Sequence, residues 1–169
     1  MADEILNRVA KSKLKTIDLE DFYPKGPRTS IDIKNWLFHE LILKEKDFRE
    51  SLKNHDWSQY QNHYIALTCS SDAIIPSWAY MLIATYTSPF AIKTIVGNLQ
   101  QLDIAIFQDM LNNFSVEAYK NVPVIIKGCS NKPIPETAYI QLIEKLQPVA
   151  KSIMFGEACS TVALYKKKK

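Results

Sequence analysis

The stretch Tyr64–Phe90, YIALTCSSDAIIPSWAYMLIATYTSPF, decides the fold. Tyr64 to Thr68 is an apolar run with the length and content of a buried strand. Cys69 ends it, Ser70, Ser71 and Asp72 bring N-cap chemistry, and Pro76 falls in the first turns of a long apolar helix. The same parts return in the same order at Val122–Gln141, VPVIIKGCSNKPIPETAYIQ. Here a strand over Val122–Lys127 leads to Gly128, Cys129, a polar turn, Pro135 at a helix start and a periodic helix. In an open α/β sheet, ligands bind beyond the carboxyl ends of the strands, so Cys69 and Cys129 are expected in one crevice.

Working outward, Lys93–Gly97 (KTIVG) reads as a short parallel strand, and Leu99, Leu102, Ile106, Met110 and Leu111 recur at helical spacing. The helix after Cys129 carries Tyr139, Leu142, Ile143, Leu146 and Val149 on one face; Pro148 is expected to kink it and Gly156 to end it. Thr161–Tyr165 is an expected edge strand whose lysine tail discourages further pairing. Upstream, Ser30–Ile33 reads as a strand and Lys46–Asn54 as a helix with Phe48 and Leu52 inward, after a turn at Tyr23–Pro27. The rest of the N-terminal third carries no firm periodicity. The expectation is one α/β domain over residues 1–169. Its central sheet includes parallel strands at Tyr64–Thr68, Lys93–Val96 and Val122–Lys127, flanked by helices.

Composition narrows the function classes. Of the 169 residues, 47% are hydrophobic and 23% charged, the balance of a globular chain with a sizeable core. The net charge of +3 is smaller than the contribution of the Lys166–Lys169 run alone, so no basic face calls for nucleic acid. The start, MADEILNRVAKSK, is acidic early and lacks the apolar region of a secretory signal, which points to the cytoplasm. Ala73–Ile92 has the length of a membrane span, but its proline, serine and threonine content favours a buried helix and no membrane association.

The chain has three cysteines, each followed by serine: Cys69-Ser70, Cys129-Ser130 and Cys159-Ser160. Without an export signal they point to free thiols, metal ligands or redox chemistry rather than a disulfide framework. Three thiolates meeting at the carboxyl edge of the sheet fill three of the four positions usual for zinc, or hold iron or part of an iron–sulfur cluster. Asp72 and Glu157, beside Cys69 and Cys159 in sequence, are the candidates for a fourth ligand, with helix capping as the competing role of Asp72. His55 and His63 precede the Tyr64 strand and so belong to its opposite end, where local hydrogen bonds are expected of them.

Two other readings use the same residues. Cys69 or Cys129 at a helix N-terminus is a candidate nucleophile or redox thiol, because the amides and dipole stabilise a thiolate. Alternatively the cysteines are buried structural residues and function lies in a surface that binds a protein partner. Phosphate-cradling and acyl-transfer motifs are absent: there is no GxGxxG, Walker or GxSxG sequence, and only four glycines.

The segments LILKEKDF, NHDWSQYQ, CSSDAIIPSWAYML, KGCSNKPIPE and GEACSTVALYKK together resemble a bacterial family classed only as a domain of unknown function, family 2480, of Bacteroidetes type. The resemblance spans nearly the whole chain and implies no established activity. It implies a genomic setting near iron–sulfur assembly genes, hence an accessory role in metal or cluster handling with a protein partner from that machinery, and it gives His39 no ligand role.

Overall fold

The computed structural model describes residues 13–128, 131–157 and 160–168. In chain order the strands are β1 (Lys15–Ile17), β2 (Arg28–Asp32), β3 (Tyr64–Thr68), β4 (Lys93–Val96), β5 (Pro123–Ile126), β6 (Ser152–Glu157) and β7 (Ser160–Lys166). The helices are α1 (Glu45–Asn54), α2 (Ser77–Thr87), α3 (Leu99–Asn112) and α4 (Glu136–Leu146). The α/β class and the alternation of parallel strands with helices are as expected from the sequence. The strands sort into two sheets, however, rather than one central sheet: β2-β3-β4, wholly parallel, and β1-β5-β6-β7, parallel except for the antiparallel edge strand β7.

The chain divides accordingly into two compact units. One comprises residues 24–106, and the other is assembled from residues 1–23 and 107–169. In the 24–106 unit, the alternation along β3 sends Ile65 and Leu67 to one face and Tyr64 and Ala66 to the other. Ile65 and Leu67 pack with Phe48 and Leu52 of α1 and with Ala79 and Ile83 of α2, all essentially inaccessible. Tyr64 and Ala66 meet Leu102 and Ile106 of α3. In the second unit, Ile17, Val124, Ile126 and Ile153 from three neighbouring strands pack with Leu142 and Leu146 of α4 and with Phe107 and Leu111. Each such leucine contributes about 2–3 kcal/mol by leaving water.

The two units repeat one module at a constant offset of 59 residues. Phe48 and Phe107, Leu52 and Leu111, Tyr60 and Tyr119, Pro76 and Pro135, Ala79 and Ala138, Tyr80 and Tyr139, and Gly97 and Gly156 all pair at that offset. The backbone repeats with them. Asn62 and Asn121 both adopt positive φ (62° and 56°), which asparagine tolerates better than most residues. Their amides donate to the carbonyls of Phe90 and Val149, each at 2.9 Å. Gly97, directly after β4, and Gly156, next to the end of β6, have φ 145° and 128°, a conformation that L side chains rarely adopt. Each module also begins with a strand that runs into an aspartate-capped 3₁₀ turn, Asp18 before Leu19–Phe22 and Asp32 before Ile33–Trp36.

Several element boundaries differ from the sequence expectation. Helix α2 starts at Ser77, with Pro76 as an extended N-cap residue (φ −70°, ψ 149°) and no side-chain cap, so Asp72 does not cap it. A residue before proline is biased away from helical conformation, which excludes Ile75 and everything before it. Helix α4 ends at Leu146 rather than continuing through a kink at Pro148, and Gly156 lies within strand β6 rather than at a helix end. Among the described residues no helix is long and apolar enough to cross a membrane.

Candidate functional site

Because β1, β5 and β6 are parallel neighbours, their carboxyl ends share one edge of the four-stranded sheet. Asp18 follows β1, Lys127 and Gly128 follow β5, and Glu157 ends β6. Lys127 Nζ donates to Asp18 Oδ2 at 2.9 Å, while the other carboxylate oxygen of Asp18 accepts from the Glu20 amide at 2.9 Å. The Lys127 hydrogen bond is the chief reason the Asp18 carboxyl sits below its ordinary range; burial opposes the shift and the Glu20 amide reinforces it. The same hydrogen bond pushes the Lys127 ammonium upward, and the charges of Glu157 and Glu20 add to it. The Glu20 carboxylate accepts from the amides of Asn131 and Lys132, tying the segment after β5 back to the 3₁₀ turn. Lys132 Nζ donates to the Glu20 carbonyl at 3.2 Å.

Of the residues singled out in the sequence, Cys129 and Cys159 lie outside the described residues, together with Ser130 and Ala158. In sequence, Cys129 directly follows Gly128 and Cys159 stands two positions after Glu157. Cys69 directly follows β3 in the other sheet. It is half-buried, with Sγ 3.4 Å from Ser71 Oγ and 3.7 Å from the Ser71 carbonyl oxygen. Tyr80, on α2, has its hydroxyl pushed up by burial and then by the Cys69 sulfur. Asp72 is exposed and lines a surface groove. Among the described residues no three His, Cys, Asp or Glu side chains form a group able to hold a metal ion. His55 Nε2 lies 3.0 Å from the Tyr60 hydroxyl and His63 Nδ1 2.8 Å from Thr29 Oγ1, local bonds of the kind expected.

Sequence reasoning overlooked the two aspartates, although TID (16–18) and SID (30–32) mark them in the same position of each module. Asp32 clamps the loop after Cys69: its Oδ1 accepts from the Ser70 amide at 3.1 Å and its Oδ2 from the Ser70 hydroxyl at 2.5 Å. Burial alone raises the Asp32 carboxyl, but the Ser70 hydroxyl, the Ser70 amide and the Lys34 amide together hold it below its ordinary range. Both aspartates therefore release protons more readily folded than unfolded. The stability they supply is present above the unfolded carboxyl value near 4 and is lost as the pH falls through their depressed folded values. Asp32→Asn is expected to cost about 1 kcal/mol at neutral pH and to flatten the acid limb of a denaturation-versus-pH curve. An unchanged acid limb contradicts the clamp.

The whole-chain comparisons add no activity to this geometry. No curated protein matches the chain, and no solved structure does. One family model, described as "Protein of unknown function (DUF2480)", matches residues 3–167. With nearly its entire length aligned to that model, from before β1 to the end of β7, the chain belongs to the DUF2480 family.

Proposed function

We propose that this protein binds a transition-metal ion, zinc or ferrous iron, through Cys129 and Cys159 at the carboxyl edge of the four-stranded sheet. The observation that carries the reading is the adjacency of β5 and β6: parallel neighbours paired Ile126 to Phe155, each running on in sequence to a cysteine. Neighbouring strands lie about 4.8 Å apart, a spacing compatible with two sulfurs on one ion at about 2.3 Å each. Asp18 and Glu157 offer carboxylate oxygens at the same edge, and Lys127 supplies positive charge that favours thiolates. Cys69 directly follows β3 of the three-stranded sheet and is not assigned to this ligand set. The 24–106 unit also has no counterpart of Cys159: at the equivalent point the chain passes through Gly97 and Asn98 into α3. An accessory role in metal or iron–sulfur cluster handling, with a protein partner, is what the family resemblance adds to this chemistry.

Alkylation with iodoacetamide, read peptide by peptide, tests the ligand set. In protein as purified, Cys129 and Cys159 are expected to react at least about tenfold more slowly than after chelator treatment, with Cys69 indifferent to the chelator. Equal rates with and without chelator overturn the proposal. So does labelling of the pair only after reduction, which assigns the two cysteines to a redox disulfide instead.

A further inference from the structure

The 24–106 unit presents an apolar surface that its own core leaves uncovered. A tight turn closed by the Phe38–Ile42 bridge carries Leu41 and Ile42, each more than half exposed, and the loop before α2 carries Ile74, 93% exposed. Between them lies a groove of about 630 Å³ lined by Leu41, Ile42, Leu43, Ile74, Pro76 and Trp78. A second groove of about 340 Å³ continues from Trp78 to Met81, itself 62% exposed. An almost fully exposed isoleucine has no role in folding the unit that bears it, and a contiguous apolar patch of this kind marks an interaction surface.

We propose that this surface is the interface of a two-fold dimer of the chain, with Ile74 of each copy seated in the groove of the other. The arrangement is self-complementary, since a knob standing beside a hole on one face is what a two-fold axis needs to place each knob in the other copy's hole. The area also fits. The exposed apolar side chains amount to roughly 500 Å² per copy, hence roughly 1,000 Å² for the pair, the lower bound of a specific interface. The rim carries both signs of charge: Asp72 and Glu45 line the groove, Arg49 pairs with Glu45 at 2.8 Å, and Lys44 Nζ stands 3.1 Å from the centre of the Phe38 ring. Two acids and two bases leave this rim without net charge, so it selects against a strongly charged partner and does not repel a second copy of itself. This inference is independent of the metal proposal, whose residues lie in the other unit.

Sedimentation velocity and equilibrium on the full chain, from about 1 to 200 µM, test it. The wild type is expected to show a concentration-dependent dimer. Ile74→Arg, which buries two charges at the centre of a symmetric contact, is expected to weaken association at least about a hundredfold while leaving unchanged the circular dichroism and, at concentrations where the wild type is monomeric, the thermal midpoint. Leu41→Lys, on the other wall of the groove, is expected to do the same by a separate route. A wild type that stays monomeric throughout that range overturns the proposal. A dimer that survives both substitutions at full strength does so equally, and assigns self-association to another surface.

Discussion

Replacing Phe48 with alanine is expected to destabilise the 24–106 unit by about 3–5 kcal/mol. Phe48 is wholly inaccessible and stands edge-on to both Trp36 and Trp78, with ring centroids 6.2 and 6.0 Å away. Removing the ring therefore forfeits its transfer free energy and its edge-to-face contacts. It also leaves a cavity between rigid aromatic neighbours with little means of closing it. Urea unfolding followed by tryptophan fluorescence reads this directly, because Trp36, Trp57 and Trp78 all belong to this unit's core cluster. Lys46→Ala, an exposed position on the same helix, serves as the control and is expected to change stability by less than about 0.5 kcal/mol. A Phe48→Ala loss below about 1 kcal/mol contradicts the packing described.

Gly156→Ala is expected to cost about 2–4 kcal/mol, for two reasons that act together. At φ 128° an alanine is strained whatever space surrounds it, and a Cβ there collides with the backbone carbonyl oxygen of Ser160 across the β6–β7 ladder. That ladder pairs Gly156 with Thr161 and Glu157 with Ser160, so relief requires prising the hairpin open. Gly97 is the useful comparison. It too has positive φ, but an added Cβ there meets the end of the flexible Gln101 side chain, which can swing aside. Gly97→Ala is thus expected to cost less than Gly156→Ala in the same denaturant series. The reverse order contradicts the account of the hairpin.

The parts of this fold visible in the sequence are those governed by short-range pattern. The strands at Tyr64–Thr68 and Lys93–Val96, the amphipathic helix bearing Phe48 and Leu52, and the helix start after Pro135 follow from apolar spacing and proline placement, and all are present. Strand β6 was concealed because Pro148 reads as a kink inside a longer helix. The proline instead lies beyond the last helical residue, Leu146, where its missing amide costs nothing, and the chain then turns into Ser152–Glu157. The repeat supplies the corrective signal: Pro148, Ala150 and Gly156 stand 59 residues after Pro89, Ala91 and Gly97, which frame the short strand β4.

Sheet membership was illegible for a different reason. Strand β1 belongs with β5, a pairing of Ile17 with Ile126 across more than a hundred residues, while the entire 24–106 unit is inserted between them. Local periodicity carries no information about which strands pair across such an insertion. The two strand–cysteine–helix segments therefore looked like neighbours in one sheet when each is the centre of its own. Asp18 and Asp32 passed unnoticed as well, since a lone acid after a strand has no pattern until the strand beside it is known.

Elemental analysis of protein purified without a metal-affinity tag, in the wild type and in Cys129→Ser, Cys159→Ser and Cys69→Ser, tests the metal site proposed at Cys129 and Cys159. Close to one equivalent of zinc or iron is expected in the wild type and in Cys69→Ser, and its loss in Cys129→Ser and Cys159→Ser, because each thiolate contributes strongly to affinity. Less than about a tenth of an equivalent in the wild type, or retention of the metal when either Cys129 or Cys159 is replaced, contradicts it.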